Sequence, residues 1–194
     1  MTSLQNFVNR YYTIANCMNS YFEQDYANLT RAITEGTTYD PRYTSVKEAE
    51  NLQDNNIELI IKYYHQSKDG ISNQLYTMGN DGMYFINGPV GKGLNITPEC
   101  QGRHVFFCGG TGILPFMDFF AYVLRWQASV QELGHSMFKD ETYDALNSGF
   151  SMAVHAYFRS PDEALGINIL QALQVLSDRS GNKKFSVSVT YTQS

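Results

Sequence analysis

Residues 104–116, HVFFCGGTGILPF, run an apolar stretch straight into a cluster of glycines and a proline. His104 to Cys108 suits a buried strand, Gly109, Gly110 and Gly112 make a turn, and the apolar spacing that follows predicts a helix from about Leu114 to Leu133. The alternation then repeats. SMAVHAYF (151–158) reads as a strand, SPDEALGINILQALQVLSDR (160–179) as a helix opened by Ser160 as its cap, and KFSVSVTYT (184–192) as a third strand. Strands separated by helices of this length need crossovers rather than hairpins, so an α/β fold with right-handed βαβ units and a parallel sheet is expected.

Upstream, apolar residues from Leu4 to Ile33 recur at helical spacing, which predicts one long amphipathic helix or two broken near Asn19. Gly36 and the TEGTTYDP cluster stop it, placing a boundary near residue 38. IELIIKYY (57–64) and MYFING (83–88) read as strands, and ISNQLYTM (71–78) between them suits a short helix or a turn.

The chain of 194 residues carries a net charge of -5 and has no basic block, which argues against nucleic acid and against an anionic membrane surface. Its longest apolar run contains Asp118 and is too short to cross a bilayer. Cys17, Cys100 and Cys108 form neither a CxxC pair nor an even set, so a reducing compartment is expected, with cytosol and mitochondrion both open. The histidines are dispersed without ligand spacing, so no metal site is expected, and no serine lies in a GxSxG context. The triphosphatase loop GxxxxGK[ST] fails at FINGPVGKGL, where Ile86 stands at its first glycine and Gly93 at its magnesium-binding hydroxyl. The GxGxxG spacing is not met either.

A strand that enters a helix through glycines leaves backbone N–H groups open at the positive end of the helix dipole, where a phosphate fits. The same glycines could serve only a tight turn, and spacing alone leaves both readings open.

INGPVGKGL (86–94), followed by RHVFFCGGTGILPFMDF (103–119), resembles the paired GPxG and GGTGIxP segments of the ferredoxin-NADP reductase superfamily. YTS at Tyr43 resembles that family's RxY[ST] flavin motif, DGIS at Asp69 its GxxS flavin-phosphate motif, and VHAYFRSPDEAL (154–165) its second strand and following loop. The resemblance implies an N-terminal helical extension (1–38), a partial antiparallel flavin-barrel lobe (39–95) and a Rossmann-like NAD(P)-binding domain (96–194). It implies that Gly109, Gly110, Thr111, Gly112 and Pro115 cradle the pyrophosphate of NAD(P), and that Arg159 and Ser160 face the adenosine ribose. It further implies that Tyr43 stacks on the isoalloxazine of FAD or FMN, that Thr44 bonds near its reactive nitrogen as the catalytic group, and that Gly70, Ile71 and Ser72 receive the flavin phosphate. Ser72 and Ser160 read equally as helix caps, Tyr43 as a strand aromatic and Arg159 as a solvated charge.

The departures from the family pattern bear on the flavin. Pro41 stands where the motif has arginine, Arg42 points to the opposite face of an extended strand, and Asp69 occupies the first GxxS position. Residues 39–95 are too few for a whole flavin barrel, and no CGP loop follows the third strand. Three functions are therefore carried: a reductase passing hydride between NAD(P)H and flavin, a non-catalytic reductase-derived subunit of a larger assembly, and a module that binds the nucleotide without turnover. The second expects a partner chain over the edge of the third strand and over the N-terminal helix.

Overall fold

The computed structural model describes residues 11–18, 20–37, 59–64, 70–79, 84, 90–96, 100–133, 149–181 and 183–193. Its centre is a parallel sheet of β1 (Gly102–Gly109), β2 (Phe150–Phe158) and β3 (Phe185–Tyr191), in the order β1-β2-β3. Among the described residues it is the sheet of the molecule. Around it lie α1 (Ser20–Glu35), α2 (Ile71–Met78), α3 (Leu114–Leu133) and α4 (Ile167–Ser180).

With the strands in chain order, α3 and α4 follow β1 and β2 and pack on the same face of the sheet. Burial follows that geometry. Phe106, Cys108, Met152, Val154, Ala156 and Phe185 point into the helices and are buried, and Met117, Phe120, Leu124, Leu170 and Leu173 meet them. The side chains between them on β1 and β2 face outward, so Val105 is 48% exposed, Phe107 70% and Tyr157 43%. HVFFC is thus half-buried, not the wholly buried strand its composition suggests, because both helices land on one side.

α1 forms a further layer, packed mainly on α4. A 3-10 turn, Asn16–Met18, precedes it and residues 11–15 are not helical, so of the helical stretch expected from Leu4 to Ile33 the described helix begins at Ser20, and residues 1–10 lie outside the described residues. The carboxylate Oδ1 of Asp118 on α3 accepts the N–H of Cys17 at 2.8 Å and fixes that turn to the core. α1 ends as its sequence dictates. Gly36 sits at φ +71, and Thr37 N–H returns to the carbonyl of Ala32 at 2.9 Å, the geometry that closes a helix through a left-handed residue. Leu29, Ala32 and Ile33 are buried within the chain, and Arg125 of α3 bonds Asp25 at 2.7 Å with its guanidinium 4.7 Å over the ring of Tyr26. These residues pack α1 onto the molecule's own helices.

Two boundaries differ from expectation. Residues 59–64, read as part of a strand, lie in no ladder, because no described strand runs beside them to answer their backbone groups. Ile60 packs on the core instead, Lys62 pairs with Glu163, and Tyr63 stacks on Tyr76 of α2. No antiparallel pairing occurs among the described residues, so no barrel lobe is described. The helix expected from Ser160 begins at Ile167. A 3-10 turn, Pro161–Glu163, intervenes, and Gly166 at φ +66 sets the true start, with its carbonyl accepting the N–H groups of Ile169 and Leu170.

The two edges of the sheet differ. Met152 donates to Lys184 O at 2.8 Å and Thr192 to Phe158 O at 3.0 Å, so residues 185, 187, 189 and 191 turn their N–H groups away from β2. Side chains of α4 answer the first two. Phe185 N–H donates to Ser177 Oγ at 3.1 Å, and Val187 N–H to Gln174 Oε1 at 2.8 Å. The edge of β3 is closed over half its length by its own crossover helix.

Candidate functional site

The glycine turn stands at the C-terminal end of β1. Gly109 has extended backbone (φ -123, ψ 120), Gly110 enters the left-handed region at φ +51, and residues Gly110–Ile113 form one 3-10 turn. Ile113 is fully buried and anchors the turn, and Leu114 N–H donates to the carbonyl of Thr111 as α3 begins. Pro115 lies in the first turn of α3, where its missing N–H costs nothing, and that turn carries no acidic residue.

The glycines have different reasons to be glycine. Gly110 needs its freedom for the positive φ. Gly109 and Gly112 do not lie in the left-handed region, and among the described residues a Cβ at either would meet no atom within 4 Å beyond its chain neighbours. Neither backbone strain nor internal packing therefore accounts for them. What a missing Cβ leaves at such a place is room for something outside the chain to approach the backbone. The N–H groups of the turn sit at the positive end of the twenty-residue α3.

Parallel pairing sets Gly109 beside Tyr157, so Arg159 and Ser160 follow at the same end of the sheet, next to the turn. Arg159 Nε donates to Gln193 Oε1 at 2.6 Å, and Gln193 N–H returns to the carbonyl of Arg159 at 2.9 Å. The guanidinium is exposed but held in place. Ser160 makes no side-chain cap bond, and its carbonyl accepts Glu163 N–H at 3.2 Å. Glu163 also accepts from Lys62 Nζ at 2.8 Å, and that bond holds its carboxyl below the usual range, with the nearby charge of Arg159 acting the same way.

Gly70, Ile71 and Ser72 form the N-terminus of α2. Gly70 is its N-cap, its carbonyl accepts Asn73 and Gln74 N–H, and no side chain caps the first turn. Tyr63 ties residues 59–64 to α2, stacking on Tyr76 with ring centroids 4.3 Å apart and donating to Asn73 Oδ1 at 3.1 Å, while Lys62 holds Glu163 in the loop after β2. Through these contacts, residues 59–64 join α2 to the loop that carries Arg159 and Ser160. Tyr43 and Thr44 lie outside the described residues.

Cys17, Cys100 and Cys108 are in no disulfide. Burial pushes the thiol of Cys108 up to about 11, and burial together with the carboxylate of Asp118 raises that of Cys17 further. Neither is a nucleophile at neutral pH. Among the described residues no three His, Cys, Asp or Glu side chains could hold a metal ion, and no helix is long and apolar enough to cross a membrane. A shallow hollow of about 270 Å³ between α1 and α4, lined by Thr30, Arg31, Asn168 and Gln171 among others, includes no residue of the glycine turn.

Sequence reasoning missed Lys62, Glu163 and Gln193, which position Arg159 and its loop. Pairing across 101 residues for Lys62 with Glu163, and 34 for Arg159 with Gln193, leaves no local signal. Comparison of the chain with known families, with curated proteins and with solved structures finds no match in any of the three.

Proposed function

We propose that this chain is a pyridine-dinucleotide-binding module of reductase type, with the pyrophosphate of NAD(P) on the turn Gly109–Gly112 and the adenosine ribose toward Arg159 and Ser160. The observation that carries this reading is the pair Gly109 and Gly112, glycines that neither φ nor packing requires, at the head of a long helix. The chain's own contribution is to bind and orient. Backbone N–H groups of the 3-10 turn meet the phosphate oxygens, and Arg159, held by Gln193, offers a cation to a 2'-phosphate. A flavin would supply hydride exchange with the nicotinamide, and Gly70, Ile71 and Ser72 are the described residues with open N–H groups for its phosphate. Tyr43 would stack on the flavin ring and Thr44 would act at its reactive nitrogen.

A second reading, a reductase-derived subunit or binding module without turnover, draws on the edge of β3. Ser177 and Gln174 occupy backbone donors that a further strand of the sheet would need.

The test is titration of the purified protein with NADH and NADPH, followed by nicotinamide fluorescence, beside the protein's own visible spectrum. Saturable binding lost at least tenfold in Gly112→Val, a change of about 1.4 kcal/mol, supports the module. A flavin band bleached by NAD(P)H selects the reductase, and binding without a flavin selects the module without turnover. No binding of either nucleotide refutes the proposal.

A further inference from the structure

The outer edge of β1 is the counterpart of the edge that α4 closes on β3. Gly102 N–H donates to Gly149 O at 3.1 Å, so the even-numbered residues of β1 bond β2, and Arg103, Val105, Phe107 and Gly109 turn both N–H and C=O outward. Among the described residues no side chain or backbone group answers them. This strand carries no proline and no lysine, the devices that usually keep an edge from pairing. Val105 is 48% exposed and Phe107 70%.

We propose that β1 is the seat of a two-fold dimer, in which β1 of a second copy pairs with it antiparallel. The occupant follows from the strand's own chemistry. About a two-fold axis at Val105, Val105 faces Val105 and Arg103 of each copy faces Phe107 of the other, and all of these residues present outward backbone groups. The ladder gains ~six main-chain hydrogen bonds, and the same strand supplies both a guanidinium and the ring face it stacks on, twice. Arg103 and Phe107 stand on the open face of the sheet, where Arg103 bonds Ser186 Oγ at 3.2 Å and Phe107 stacks on His155 with ring centroids 5.1 Å apart. Shifting the register by two residues sets Arg103 against Val105 or Gly109 and loses both pairs, and a shift of one turns side chains to the wrong face. A strand that is its own complement selects a second copy, and a closed two-fold pair is the commonest assembly such a surface builds.

The test is the mass of the native protein by sedimentation equilibrium across the micromolar range. A particle of twice the 22.0 kDa chain mass is expected. Val105→Pro removes an N–H that points away from β2, so it halves the particle mass and leaves the circular dichroism unchanged. Val105→Cys with Cys100→Ser forms an intermolecular disulfide under mild oxidation, since facing residues of such a ladder have Cα atoms about 5.5 Å apart. Phe107→Cys in the same background does not cross-link until Arg103→Cys is added. A monomer at all concentrations, or a dimer that Val105→Pro leaves intact and Val105→Cys fails to cross-link, overturns the proposal.

Discussion

Replacing Ser177 with alanine tests how β3 ends the sheet. Ser177 is 1% exposed, and its Oγ is the partner found for the N–H of Phe185, itself 2% exposed, at 3.1 Å. Alanine fits the same space but leaves that donor buried and unmet, which costs about 1–3 kcal/mol, more than the bond contributes when both partners can turn to water. For a domain of this size, each kcal/mol lowers Tm by roughly 2–4 °C, so a fall of about 2–12 °C is expected. Gln174→Ala removes the bond to the half-buried Val187 N–H, where water can enter, and costs less, about 0.5–1.5 kcal/mol. The double variant also frees two donors on one edge, so it aggregates on heating where the wild type does not. Thermal melts by circular dichroism with light scattering read both effects. If Ser177→Ala melts within a degree of wild type, the edge-closing account is wrong.

Other expectations follow from the same geometry. Gly166→Ala combines φ +66 with a Cβ that would collide with the side chain of Met117, and it costs about 2–4 kcal/mol in chemical denaturation. Gly110→Ala, at φ +51, costs about 1–2 kcal/mol, whereas Gly112→Ala changes stability by less than about 0.5 kcal/mol, because it meets open space without left-handed backbone. Stability falls in alkali. The folded values of Cys108, about 11, and Tyr26, about 12, lie above their ordinary 9.0 and 10.0, chiefly through burial, so the unfolded chain releases these protons first. The contribution is intact below pH 9 and is lost as pH rises through about 11 to 12, at most roughly 3 kcal/mol per group, as urea titrations across that range will show.

The glycine turn and its helix were legible because their signals are local. An apolar strand, Gly109 to Gly112 and a helical period from Leu114 sit in consecutive residues, and β2 and β3 announce themselves in the same way. The start of α4 misled because Ser160 with Pro161 looks like a helix opening, while the deciding residue, Gly166, lies six positions on. Residues 59–64 carry strand-forming side chains, yet a strand exists only beside another, and that is a property of the fold. Which face of β1 is open depends on both crossovers landing together. The closing of β3 had one readable trace, Gln174 and Ser177 three apart on α4, with Ser177 among its buried residues. In the candidate site, Gly109, Gly110, Thr111, Gly112, Arg159 and Ser160 were named from the resemblance of their motifs, and parallel pairing sets them at one end of the sheet, but the hold of Gln193 on Arg159 needed the third strand in place.

The most direct test of the central claim is the amide NMR spectrum of the labelled protein during titration with NADPH and, separately, with inorganic pyrophosphate. The account predicts that both ligands shift the N–H resonances of Gly110, Thr111, Gly112 and Ile113, that NADPH alone also shifts Arg159 and Ser160, and that Gly112→Val abolishes the common set. Shifts confined to other residues, or none at saturating ligand, would contradict it.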